Sequence, residues 1–145
     1  MGNGKGQPVS LDLERLIDLD EIKRLKARYC QCIDLHLWDE FATLFADDAE
    51  LTTDREGSVN TMRGRDKIAG TISKNLATAN TIHHASNPDI RFTSATTAEG
   101  IWTASYTNEV GPVTGHGHYI ERYEKRDGRW MYTHMTLRVH FLVKP

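Results

Sequence analysis

Hydrophobic positions change period partway along this chain. Ile22, Leu25, Tyr29, Cys32 and Ile33 recur every three or four residues, while Glu21, Lys23, Arg24 and Arg28 fall mostly elsewhere, which predicts an amphipathic helix with one buried stripe. Asp18, with Glu21 three residues later, has the spacing of an N-cap and capping box, so the helix is expected to start there. Leu11, Leu13, Leu16 and Ile17 then belong to an earlier turn or a separate short helix. Trp38, Phe41, Leu44 and Phe45 predict a second short helix over 37–45, ended by Asp47 and Asp48, and Ile68, Ile72 and Leu76 predict a third over 65–76. Short strands are expected at 50–53 and 61–63 and long ones at 81–93, 100–110, 115–125 and 129–142, with Arg126, Asp127 and Gly128 as a hairpin turn. Helices first and an antiparallel meander afterwards predict an α+β fold with one sheet curling over a helical layer.

A chain of 145 residues fits one domain. The Gly-rich stretch 1–10 is expected to be disordered and 11–145 to form the domain. Eighteen basic and 20 acidic residues give a net charge of -2 with no basic stripe, which argues against a nucleic-acid partner. No apolar run approaches a membrane span and the first residues have no signal-peptide core, so a cytoplasmic protein is expected. Cys30 and Cys32 stand about 200° apart around a helix and cannot bridge one another, which leaves packing as their role.

The candidate chemistry centres on the run from Thr81 to Ile90. Strand alternation puts His83 and His84 on opposite faces, so only one of them can face a pocket. A neutral imidazole accepts a proton well near neutral pH, and a carboxylate on its other nitrogen fixes the tautomer. Asp34 is placed to supply that carboxylate: at a helix C-terminus, where the dipole is negative, it calls for a compensating partner. Tyr29 lies on the apolar stripe and reads equally as a pocket hydroxyl or ordinary core. Arg138 alternates with Leu137 and Val139; pointing inward it would bind an oxyanion, and on an edge it would be solvated. Trp102, Ala104, Tyr106 and Asn108 share a face, and Trp102, Tyr106 and Asn108, with Trp38 and His118, make up the candidate substrate-binding set. His116 and His118 also share a strand face, as a metal site requires, but Glu121 has the opposite parity, so no metal is expected.

Taken together, the helix IKRLKARYCQCID, the segment WDEFATLFADDAEL, the helix start RGRDKI, the strand TIHHASNPDI and the hairpin HYIERYEKRDGRW resemble the SnoaL-like branch of the nuclear-transport-factor-two-like superfamily. The resemblance implies a cone-shaped SnoaL-like or cystatin-like roll, with three N-terminal helices packed on a curved, mixed, mostly antiparallel sheet. Within the branch the likeness is strongest to bile-acid 7α-dehydratases and weaker to scytalone dehydratases and lindane dehydrochlorinases. It implies a cofactor-independent lyase acting on a hydrophobic ring compound, with catalytic roles on His83, Asp34, Tyr29 and Arg138. Isomerases, polyketide cyclases and non-catalytic binding modules share the fold. One departure is Tyr106, which stands where the bile-acid enzymes carry an aspartate. The implied partners are a small hydrophobic substrate and further copies of the chain, with a trimer favoured over a dimer.

Overall fold

The computed structural model describes residues 9–109 and 113–145, with side chains from Leu13 onward. The chain runs α1 (Val9–Asp34), α2 (Trp38–Thr43), β1 (Phe45–Arg55), β2 (Ser58–Arg63), α3 (Arg65–Leu76), β3 (Thr81–Phe92), β4 (Thr97–Asn108), β5 (Val113–Arg126) and β6 (Arg129–Val143). The six strands form one sheet in the order β2-β1-β6-β5-β4-β3, antiparallel except where β1 pairs parallel with β6. The α+β architecture matches the expectation from the hydrophobic pattern. The helices cover one face of the sheet, and the core lies between them: Ile22, Cys32, Phe41, Phe45, Ile68, Tyr119 and Tyr132 are fully buried.

The largest correction concerns the start of α1. No helix begins at Asp18; α1 is continuous from Val9, two residues into the stretch expected to be disordered, while 1–8 lie outside the described residues. Asp18 is a buried mid-helix carboxylate that accepts hydrogen bonds from Trp130 Nε1 at 2.8 Å and Lys125 Nζ at 2.9 Å. Its partners are thus on the β5–β6 hairpin, 107 and 112 residues away, and the capping-box spacing is incidental. The second helix is also shorter than expected. Phe45 is already in β1, where it pairs with Tyr132 of β6, because this parallel pairing recruits residues that helical spacing alone assigns to a helix.

The β5–β6 turn follows its sequence signature, with both Asp127 and Gly128 at positive φ (52° and 73°), as a two-residue hairpin loop requires. A β-bulge between His116 and Gly117 draws β5 close to β6: a Cβ on Gly117 would sit 1.8 Å from the Arg138 carbonyl oxygen, so only glycine fits there.

A buried ion pair crosses the core. Lys26 on α1 and Glu121 on β5 are both essentially inaccessible and form a salt bridge. The Tyr123 hydroxyl donates a further hydrogen bond to Glu121 and accepts one from Trp102 Nε1 at 3.0 Å. The Lys26 ammonium lies 3.1 Å from the ring centroid of Tyr119 and 4.3 Å from that of Tyr29, so two aromatic faces share its charge. Desolvation pulls its pKa below the ordinary lysine value, and Glu121 opposes that shift.

Candidate active site

The end of α1 is fixed by its own backbone. His36 takes a positive φ of 57°, and the helix closes with Leu37 N–H donating to Cys32 O (2.8 Å) and His36 N–H to Ile33 O (3.1 Å), the two bonds of a Schellman motif. The His36 ring then donates from Nε2 to the Ala79 carbonyl at 2.8 Å, tying this turn to the segment that enters β3. Asp34 is therefore the last helical residue and faces the first residues of β3.

Three donors converge on its carboxylate. His83 Nδ1 lies 2.6 Å from Oδ1, the Thr81 hydroxyl 2.9 Å from Oδ1, and the His83 backbone N–H 2.9 Å from Oδ2. The His83 and Asp34 side chains are 9% and 14% exposed. Burial works against the Asp34 charge, but the bonds from the His83 ring, the His83 backbone and Thr81 outweigh it and hold the carboxyl below the usual carboxylate range. A carboxylate against Nδ1 places that nitrogen's proton between the two residues and leaves Nε2 as the basic atom of the ring.

Because the folded pKa of Asp34 is below its unfolded value, its contribution to stability is present above about pH 4 and is lost as the pH falls through the folded value. Asp34→Asn is expected to cost about 1 kcal/mol near neutral pH. The gap to the parent protein should then close in acid; urea melts from pH 3 to pH 7 check it, and a gap independent of pH would contradict the assignment.

The dyad opens on a cavity of about 450 Å³ between the helices and the covered face of the sheet. Tyr29 and Ile33 line it from α1, Leu51, Thr53 and Arg55 from β1, Asn60 and Met62 from β2, and Thr71, Ile72, Asn75 and Leu76 from α3; Thr81 and His83 of β3, Tyr106 and Asn108 of β4 and Leu137 of β6 complete the wall. Tyr106 stacks on His83 with ring centroids 5.7 Å apart at 24°. Burial holds the Tyr29 phenol well above its usual range, so it stays neutral. A larger groove of about 640 Å³ crosses the opposite face of the sheet past Glu50, Arg91, Glu99, Arg122 and His134. It is charged and remote from the dyad, so the candidate site is the smaller cavity.

Of the residues singled out from the sequence, the structure brings together His83, Asp34, Tyr29, Tyr106 and Asn108. It does not bring Arg138. Flanked by buried Leu137 and Val139, Arg138 points from the uncovered face of β6, half-exposed, with Asp54 Oδ2 at 3.7 Å. Its alternation with that apolar pair already encoded the outward direction. His118 is likewise on the uncovered face, where its Nδ1 lies 2.8 Å from His140 Nε2. His116 stacks on Phe141, and Glu121 points the other way into the core. Among the described residues no group of three or more His, Cys, Asp or Glu side chains is arranged to hold a metal ion. Trp102 shares the inner face but is deep in the core with Tyr123. Trp38 stacks on His36 and packs against Phe41 outside the cavity lining. Cys30 and Cys32 are buried free thiols, and Cys32 donates to Glu40 at 2.8 Å.

Sequence reasoning missed Thr81 and Arg55. Thr81 shares strand parity with His83, which was the available signal, whereas Arg55 lies beyond the strand expected at 50–53 and is brought into line with Leu51 and Thr53 only because β1 runs on to Arg55.

Known structures repeat this architecture. A candidate scytalone dehydratase from Novosphingobium aromaticivorans is 25% identical, covering 91% of this chain and 90% of that one, with a TM-score of 0.81. A hexachlorocyclohexane dehydrochlorinase from Novosphingobium barchaimii is 24% identical over 92% of this chain and 94% of its own, also at 0.81, a likeness of fold. A Mycobacterium tuberculosis protein of unknown function is 25% identical over 97% and 80%, with a TM-score of 0.75. The sequence pattern of the SnoaL-like domain extends over residues 14–136, from α1 into β6, and the chain belongs to the SnoaL-like domain family.

Proposed function

We propose that this protein is a cofactor-independent lyase, a dehydratase of a hydrophobic ring compound, with His83 as its general base. The observation that carries the reading is the 2.6 Å contact between His83 and Asp34 on the wall of a cavity that mixes apolar side chains with convergent polar groups. Nε2 of His83 takes a proton from a ring carbon beside a carbonyl, and the electron pair moves into the carbonyl as an enolate. Asp34 balances the imidazolium that forms. Tyr29, a neutral phenol, donates a hydrogen bond to the enolate oxygen. The bond from the β-carbon to its hydroxyl then breaks, and the departing oxygen takes the proton back from Nε2 to leave as water.

The likeness to bile-acid 7α-dehydratases in Tyr29, Asp34 and His83 supports this scheme, as do the eliminating enzymes of the same fold. Arg138 has no part in it, since it faces away from the cavity. An isomerase or polyketide cyclase would use the same base and differ only in where the proton or the carbanion ends.

The test uses two sets of cyclic ketones, one with a β-hydroxyl and one without, incubated with the protein in D₂O. Appearance of the conjugated alkene from the first set and deuterium at the acidic carbon of the second are the expected results, followed by NMR. Exchange without elimination would move the assignment to an isomerase. Neither exchange nor elimination in any member of either set would sink the reading.

A further inference from the structure

With Arg138 turned outward, the cavity has a different cation. Arg55, at the exposed end of β1, is the only lysine or arginine among the described residues of its lining. Most neighbouring charges on these strands are neutralised: Asp54 faces Arg138 on the uncovered side, and Glu50 holds Arg63. The Arg55 side chain makes no ion pair or hydrogen bond among the described residues. Burial, Glu121 and Asp34 raise the pKa of the Tyr29 phenol in the same lining, and Arg55 acts in the opposite direction. Two neutral amides, Asn60 and Asn75, line the same cavity. Arg55 and His83 enter from different walls, β1 and β3, with β6, β5 and β4 between them in the sheet.

An unpaired guanidinium beside neutral amide donors suits a singly charged planar anion, which it can hold by two parallel N–H···O bonds. A phosphate dianion would call for more than one cation. We propose that Arg55 binds a carboxylate carried by the substrate, so that the ligand is an apolar ring acid held by its carboxylate at β1 while its reacting carbon meets His83 at β3. This inference names the substrate class of the site and rests on the proposed function for the placement of the reacting carbon at His83; binding of the acid at Arg55 stands or falls independently of turnover.

The experiment titrates the protein with 2-naphthoate and with 2-naphthamide, two ligands of the same shape that differ in charge, and compares the unaltered chain with Arg55→Ala, Arg55→Gln and His83→Ala. The unaltered protein should prefer the acid by at least about tenfold at low salt, and the preference should shrink as salt rises. Arg55→Ala and Arg55→Gln should lose that preference while keeping their affinity for the amide. His83→Ala should keep the preference, so a failure of the base assignment leaves this one intact. Equal binding of the two ligands by the unaltered protein, a preference that survives both Arg55 substitutions, or binding of neither ligand would overturn it.

Discussion

His83→Ala is expected to lower turnover of an eliminated substrate by about 10²- to 10⁴-fold, the usual contribution of a positioned general base. The loss should be in kcat with little change in KM, because a proton abstracted only in the transition state adds nothing to ground-state binding. Folding should survive the substitution, since Asp34 keeps the Thr81 hydroxyl and the backbone N–H of residue 83 as donors. Parallel kinetics on the alanine variant and the unaltered protein, with far-ultraviolet circular dichroism on both, provide the check. Tyr29 is a poor substitute base, because burial raises its pKa well above the usual phenol range. Equal turnover by the alanine variant would therefore turn attention to Tyr106, which shares the cavity wall and stacks on His83.

The second large effect concerns stability. Lys26→Met should destabilise the fold by about 3–5 kcal/mol, because it strands the Glu121 carboxylate in the core without its counter-charge. Paired with Glu121→Leu, the same substitution should recover most of the loss, since a well-packed apolar pair removes both desolvation penalties together. The Tyr123 hydroxyl would lose its acceptor in the double variant, so recovery should fall short by about 1 kcal/mol. Urea denaturation of the single and double variants measures both quantities. A Lys26→Met protein within about 1 kcal/mol of the parent would mean that the ammonium contributes nothing net to the core.

The parts of this molecule legible in its sequence are those decided by local chemistry. The period of the apolar residues gave α3 its bounds, and the Asp-Gly pair gave the β5–β6 turn. The facing of His83 and Asp34 was reachable because one closes a helix and the other sits on a strand of fixed parity. What escaped depended on distant partners. Asp18 has the spacing of a cap, yet its carboxylate is claimed by Trp130 and Lys125. Phe45 has helical spacing, yet parallel pairing with Tyr132 pulls it into β1. Arg138 shows the limit of a resemblance: the motif suggested an inward guanidinium, while its own neighbours, both apolar and buried, had already turned it out. No local pattern announces Arg55 either, since its importance comes from the wall that α3 and β2 build around it.

The parallel pairing of β1 with β6 also sets an order in time. The hairpins β1–β2, β3–β4, β4–β5 and β5–β6 each close over short loops, but β1 has no second neighbour until β6 exists. The buried stripe of α1 waits equally long, because Asp18 needs Trp130 and Lys26 needs Glu121. During synthesis at about 5–20 residues per second, the first helix is therefore exposed for roughly five to twenty seconds before its partners leave the ribosome. Such non-local closure makes folding slow relative to a helical bundle of the same size. In that interval Lys26 keeps its ammonium in water, and the desolvation that Glu121 later offsets falls due only when β5 arrives.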